Sequence, residues 1–332
     1  MNELPLVVVL GEADDPPPGI EAAEGSVALR YASDVEQLVS VESEAVYVWD
    51  GDRGPLLEGA WPRLERLRWI QTASAGVDDL LFPELVASEV VMTNARGVFE
   101  EPIAEWVIGM LLAFSTDTLR TLALQREARW VYRETRRLAG STLVVVGPGP
   151  IGRAVARLAR ALGMEVAAVG RTSREDPELG PIAPIERLHE VLATADHVLD
   201  ALPSTPATTG LFDAAAFAAM PESATFVNVG RGATVVEPAL IEALRTGGIA
   251  SAALDVFAQE PLPSTSPLWS LPNVVVSPHM CGDARGWDRE VVAIFVDNAR
   301  RWSRGEPLRN VVDTRLGFGV DRSEVVVLPR RS

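Results

Sequence analysis

The chain has no lysine: all 30 of its basic residues are arginines. Against them stand 46 acidic residues, for a formal net charge of −16 and an isoelectric point near 4.7. Phosphate backbones and anionic lipid would be repelled by such a surface, so neither nucleic acid nor a membrane is expected as a partner. The choice of arginine over lysine carries no functional argument by itself. Cysteine is also scarce. The single Cys281 excludes an intramolecular disulfide and a multi-cysteine metal cluster, and it fits a reducing, cytoplasmic compartment. No metal is expected. Long apolar runs are missing too: the longest, around Trp106 to Phe114, falls short of the roughly 20 residues that span a bilayer. The apolar stretch Leu4 to Leu10 has no basic residue before it and acidic residues after it, so it reads as a first strand rather than a signal peptide.

What is present is apolar material in a regular rhythm. Hydrophobic residues make up 47% of the 332, enough for two globular domains with separate cores. Short apolar runs bounded by turn residues occur at 6–10, 45–49, 69–73, 90–94 and 143–147, then at 166–170, 197–203, 225–230, 251–257 and 274–279. Near-continuous apolar strands separated by helix-length segments imply parallel sheets covered on both faces, an α/β fold. Between the two strand series, Glu100 to Arg129 carries Ile103, Val107, Met110, Leu111 and Phe114 at helical spacing. This segment is expected to cross between domains, and the amphipathic stretch Val291 to Arg304 to return the chain. The expected division is discontinuous: residues 1–110 with 288–332, and residues 111–287, as two Rossmann-like or flavodoxin-like domains with a cleft between them. The tail after Asn310 gives no signal.

Gly147, Gly149 and Gly152 stand in GxGxxG spacing after the run LVVV and at the start of a helix-forming segment. The first glycine permits a tight turn, the second lets backbone approach a pyrophosphate, and the third lets helix and strand pack closely. The helix N-terminus would face the negative charge. About 20 residues on, an NAD-preferring site places an acid at the strand end. Here the residues are Arg171, Thr172, Ser173 and Arg174, with Glu175 and Asp176 only later. A guanidinium fork suits a 2′-phosphate, so NADP(H) is favoured over NAD(H).

Three histidines are present. His189 falls on a surface helix and His197 opens a strand, both structural positions. His279 follows the run VVVS at the carboxyl end of the sheet, where open α/β folds bind ligands. Arg231 and Glu260 occupy equivalent strand ends. Arginine can fork onto a substrate carboxylate, histidine exchanges protons near neutrality, and a carboxylate beside it would orient the ring and favour its charged form. Trp49 and Trp287 are candidate walls of a substrate pocket, with packing as the competing reading. Cys281 has no base evident beside it and is not expected to act as a nucleophile.

The segments TASAGVDDL (72–80), NARGVFEEPIAEW (94–106), GPGPIG (147–152), ALPSTPATTGLF (201–212), NVGRG, ALDVFAQEP and SPHMCGD occur in this order. From about Trp69 to Asn310 the chain resembles the D-isomer-specific 2-hydroxyacid dehydrogenase family. The resemblance implies reduction of a small 2-oxo acid to the D-2-hydroxy acid, and the reverse, with Arg231 on substrate, Glu260 as support and His279 as acid/base. It also implies that the backbone of Ala75, Gly76 and Val77 meets the substrate carboxylate and that Asp255 meets the nicotinamide carboxamide. Pro150, Ile151, Leu202, Pro203, Val229 and Gly282 complete the expected dinucleotide contacts, and a homodimer is the expected assembly. The sequence departs from the pattern at MCGDARGW, where the commoner form has small residues, which leaves substrate size open. Glyoxylate and hydroxypyruvate are expected for an NADPH-linked reductase of this kind, yet a larger 2-oxo acid would use the same three residues. A dinucleotide-sensing corepressor-like protein without turnover is the alternative, and a structural dinucleotide-binding subunit a further one.

Overall fold

A computed structural model of the chain describes residues 4–49 and 53–319. In chain order the strands and helices are β1 (Leu6–Leu10), β2 (Ala28–Ala32), α1 (Val35–Val39), β3 (Ala45–Val48), α2 (Gly54–Ala60), β4 (Trp69–Thr72), α3 (Pro83–Ala87), β5 (Val91–Thr93), α4 (Glu100–Ser115) and α5 (Thr118–Arg126). There follow β6 (Thr142–Val146), α6 (Pro150–Ala161), β7 (Glu165–Gly170), β8 (Arg174–Asp176), β9 (Gly180–Pro184), α7 (Leu188–Leu192), β10 (His197–Asp200), α8 (Ala214–Ala219) and β11 (Thr225–Asn228). The last are α9 (Glu237–Thr246), β12 (Ser251–Leu254), β13 (Val274–Val276), α10 (Trp287–Arg304), β14 (Val311–Asp313) and β15 (Phe318–Gly319). Two compact units result, one of residues 1–98 and 285–332, the other of residues 99–284. The first crossing lies at Val98–Phe99 rather than near residue 110, because Ile103, Ala104, Val107, Ile108 and Leu111 of α4 are buried in the core of the second unit.

The first unit is a seven-stranded sheet in the order β15-β14-β5-β4-β3-β1-β2. Its β2-β1-β3-β4-β5 part is parallel and flavodoxin-like, and β14 joins β5 antiparallel. On one face Val8, Val46 and Ile70 pack with Leu38 and Leu57. On α10, Phe295 stacks on Tyr47 at 4.1 Å between ring centroids, and Trp302 lies 5.5 Å from Trp69. Aromatic burial of this kind contributes beyond its area.

The second unit is an eight-stranded sheet in the order β13-β12-β11-β10-β6-β7-β9-β8. All pairs are parallel except β8 with β9. Successive residues of β6 serve opposite cores: Val144 and Val146 join one cluster, Leu143 and Val145 the other. Two covered faces explain why these strands read as unbroken apolar runs. Strand order reverses between β6 and β10, which makes the carboxyl ends of these two the switch point where such sheets accept ligands.

Some elements differ from the sequence expectation. The 100–129 segment is two helices bent by 64°, with Asp117 at φ 53° between them and held by Arg133. No single helix among the described residues is long and apolar enough to cross a membrane. The tail after Asn310, silent in sequence, supplies β14 and β15.

Candidate active site

The glycine turn separates into three physical roles. Gly147, at φ 102°, closes against the chain after β10: a Cβ there would stand 2.6 Å from the Ala201 carbonyl oxygen. A Cβ at Gly152 would stand 2.3 Å from the Gly147 carbonyl oxygen and 2.8 Å from Val145, so this glycine sets the approach of α6 to β6. Gly149, which caps α6 before Pro150, has open space where its Cβ would be. Only the middle glycine therefore leaves room for a group outside the protein, at the N-terminus of a 12-residue helix, as a pyrophosphate requires.

At the end of β7, Arg171, Thr172, Ser173 and Arg174 are all exposed. A Cβ on Gly170 would lie 3.3 Å from the Arg174 guanidinium, which places that fork across the strand end. Asp176 is buried and already engaged. Its oxygens accept two hydrogen bonds from Arg153 of α6 and the amides of Glu178 and Leu179. The Arg153 pairing holds its carboxyl well below the usual range. The later acid is thus a structural brace for the hairpin of β8 and β9.

On the other side of the switch point, β11, β12 and β13 deliver the three candidate catalytic residues. Arg231 leaves β11 on a segment fixed by Asn228, whose side chain accepts from the Gly230 amide at 2.9 Å and donates to the Arg231 carbonyl at 3.2 Å. One guanidinium nitrogen donates to the Gly230 carbonyl at 2.8 Å. His279 stands at φ 52°, held by its amide to the Asp255 carbonyl at 2.9 Å. Its Nδ1 lies 2.7 Å from Oε2 of Glu260, while Oε1 of Glu260 accepts from the Phe257 amide at 2.8 Å. The Glu260 hydrogen bond raises the His279 imidazole above its ordinary value, against partial burial and the charge of Arg231. Partial burial pushes Glu260 up, but the His279 hydrogen bond, the Phe257 amide and the charge of Arg231 outweigh it and hold the carboxyl below its usual value.

Asp255 is 1% exposed, and its carboxylate accepts from the amides of Met280 and Cys281. It therefore fixes the turn that follows His279. Gly282 is buried, with a Cβ position 3.1 Å from Phe99 and 3.3 Å from Ile103, so contact with α4 accounts for its lack of a side chain. Leu202 and Val229 are buried while Pro150, Ile151 and Pro203 keep some surface. Burial, with the neighbouring carboxylate of Asp255, pushes the Cys281 thiol far up, against any thiolate role. Burial likewise lowers His197 to about 4, which removes it from proton transfer near neutrality. His189 is exposed on α7.

In the first unit, Ser74 donates to the Gly76 carbonyl at 2.6 Å and Asn94 to the Ala75 carbonyl at 2.6 Å. In a trans peptide the N–H opposes the C=O, so these bonds turn the amides of Gly76 and Val77 the other way. Ser74 and Asn94 thus fix this turn, and motif reading had not singled them out. Trp49 and Trp287 stack on each other, centroids 6.2 Å apart at 13°.

One sheet thus carries a glycine turn after β6 and, beyond the carboxyl ends of β11 to β13, an arginine and a histidine–carboxylate pair, the fold class of the pyridine-nucleotide oxidoreductases. Residues 108–281 match the family described as D-isomer specific 2-hydroxyacid dehydrogenase, NAD binding domain. Glyoxylate/hydroxypyruvate reductase B of Citrobacter koseri is 35% identical over 261 residues, 76% of this chain and 80% of the relative. A D-isomer specific 2-hydroxyacid dehydrogenase of Xanthobacter autotrophicus Py2, solved in complex with NADPH and MES, is 33% identical with a TM-score of 0.79, covering 95% of this chain and 100% of that one. The NADPH-dependent glyoxylate/hydroxypyruvate reductase of Sinorhizobium meliloti, solved with NADP and sulfate, is 27% identical with a TM-score of 0.79, over 95% and 100% of the two chains. The chain belongs to the D-isomer specific 2-hydroxyacid dehydrogenase family.

Proposed function

We propose that the protein reduces a small 2-oxo acid to the D-2-hydroxy acid with NADPH in preference to NADH, and catalyses the reverse. The observation that carries the reading is the 2.7 Å contact of His279 with Glu260 at the carboxyl edge of the sheet that bears the glycine turn. The nicotinamide, when bound, supplies or accepts the hydride. The chain's own residues bind the acid and manage its proton. Arg231 forks onto the carboxylate or the adjacent carbonyl oxygen. His279, charged because Glu260 favours that state, gives its Nε2 proton to the carbonyl oxygen as the carbonyl carbon is reduced, and takes it back in oxidation. Gly149 leaves space for the pyrophosphate, and Arg171 and Arg174 hold a 2′-phosphate. The engagement of Asp176 with Arg153 favours NADP(H), because that acid is spent inside the hairpin.

The test is oxidation of NADPH and NADH, followed by absorbance, against a panel of 2-oxo acids beginning with glyoxylate and hydroxypyruvate. Faster oxidation with NADPH is expected. His279→Ala is expected to lower kcat by roughly two to four orders of magnitude with dinucleotide binding retained. Tight dinucleotide binding with no turnover across the panel would favour the corepressor-like alternative.

A further inference from the structure

Asp200 ends β10 in the run HVLD and is completely buried. A carboxylate withdrawn from water costs several kcal/mol unless it is well paired. Its two partners here are neutral. Oδ1 accepts from the Leu202 amide at 3.1 Å, and Oδ2 lies 2.5 Å from the Thr234 hydroxyl. The same hydroxyl lies 2.6 Å from the Arg231 carbonyl. Burial pushes the Asp200 carboxyl up to about 7 against these hydrogen bonds. An apolar side chain would fill a strand buried on both faces without this penalty.

The surroundings show what the carboxylate joins. The Ala201 carbonyl oxygen lies 2.6 Å from a Cβ position on Gly147, and the Leu202 carbonyl oxygen 2.5 Å from one on Gly230. Three turns, after β6, β10 and β11, therefore meet in van der Waals contact. Asp200 ties the second to the third: one oxygen fixes Leu202, and the other, in the protonated carboxyl, donates to Thr234, whose single hydroxyl proton then goes to the Arg231 carbonyl.

We propose that Asp200 is a positioning residue with two branches, one setting the Leu202–Pro203 segment against the dinucleotide and the other setting Arg231 for the 2-oxo acid. The proposal rests on the reductase reading for its Arg231 branch. An asparagine preserves both connections, since its oxygen can accept from the Leu202 amide and its nitrogen can donate to Thr234, whose hydroxyl then turns to the Arg231 carbonyl. Leucine removes both, and Thr234→Val removes only the second.

Kinetics with the best 2-oxo acid of the panel, dinucleotide titration by fluorescence, and thermal unfolding separate these branches. Thr234→Val is expected to raise KM for the acid by roughly tenfold, with kcat changed less and the Kd for NADPH unchanged. Asp200→Leu is expected to raise both constants, and Asp200→Asn to keep both within about twofold of wild type. If Asp200→Leu does not fold, the contrast between Thr234→Val and Asp200→Asn decides. Folded variants with a lowered Tm but wild-type KM and Kd would overturn the proposal in favour of a merely structural carboxylate. If the wild type reduces no 2-oxo acid, the functional reading fails, and the Kd for NADPH of Asp200→Leu against Asp200→Asn still decides the Leu202 branch.

Discussion

Glu260 grips His279 with one carboxylate oxygen, at 2.7 Å from Nδ1, and the chain's own backbone with the other, at 2.8 Å from the Phe257 amide. The acid is thereby fixed before it orients the ring. Its bond occupies Nδ1, so Nε2 is the nitrogen left to exchange a proton with a ligand, and its charge favours the imidazolium.

The first prediction concerns pH. His279 is raised by Glu260, and in the proposed reaction reduction needs the protonated ring. The kcat/KM for reduction should therefore hold at low pH and fall as pH rises through that raised value, while oxidation of the D-2-hydroxy acid should show the opposite limb. Glu260→Gln removes the charge that favours imidazolium, so the alkaline limb of reduction should move to lower pH, with a loss of roughly tenfold on its alkaline side. Profiles of kcat/KM for both proteins test this. Superimposable profiles would remove Glu260 from the acid/base pair.

The glycine turn offers a second test, since its three positions differ in surroundings. Gly149→Ala meets open space and is expected to leave Tm close to wild type while weakening dinucleotide binding by at least roughly tenfold, because the new methyl would sit where the proposed reading brings the pyrophosphate. Gly152→Ala, 2.3 Å from the Gly147 carbonyl oxygen, is expected to lower stability by about 2 kcal/mol or more through overpacking. Calorimetry and dinucleotide titration on both variants make the comparison. Unimpaired binding by Gly149→Ala would move the pyrophosphate away from this turn.

The third prediction is about cofactor choice. Arg171 and Arg174 are exposed at the end of β7, and Asp176 is tied to Arg153. Replacing both arginines with alanine is expected to raise KM for NADPH by roughly tenfold or more, with KM for NADH nearly unchanged. Equal effects on the two cofactors would mean that the guanidinium groups stack or brace rather than bind a 2′-phosphate.

The features legible in sequence are those set by local chemistry. Unbroken apolar runs marked the central parallel strands because Val144 and Val145 each have a core to enter, and the strand-end positions of Arg231, Glu260 and His279 followed from those runs. Edge elements were missed. The β8 and β9 hairpin is short, charged and proline-containing, and β14 is held by pairing with a strand more than two hundred residues earlier, neither of which leaves a periodic signal. The bend at Asp117 depends on Arg133 reaching back across the chain. Asp200 did leave a trace, an acid in an apolar strand, but its partner Thr234 lies 34 residues on and is visible only once the sheet is assembled.

That same carboxyl yields the last prediction, about stability. Its value in the folded protein is pushed up from 3.8 to about 7, so the native state binds the proton more tightly than the unfolded chain. For an acid raised in this way, the contribution to stability is fully present below the unfolded value and is lost as pH rises through the folded one. Wild-type stability should therefore carry a penalty that grows between about pH 4 and about pH 7 and is complete above that window. Asp200→Asn has no proton to lose and keeps the Leu202 and Thr234 hydrogen bonds. Its Tm should exceed that of wild type by several degrees on the alkaline side, with the gap narrowing as pH falls through the window. Calorimetry of both proteins across that range measures the gap directly. A pH-independent difference would mean that Asp200 is ionised in the folded state throughout, stabilised by an interaction other than its two neutral partners.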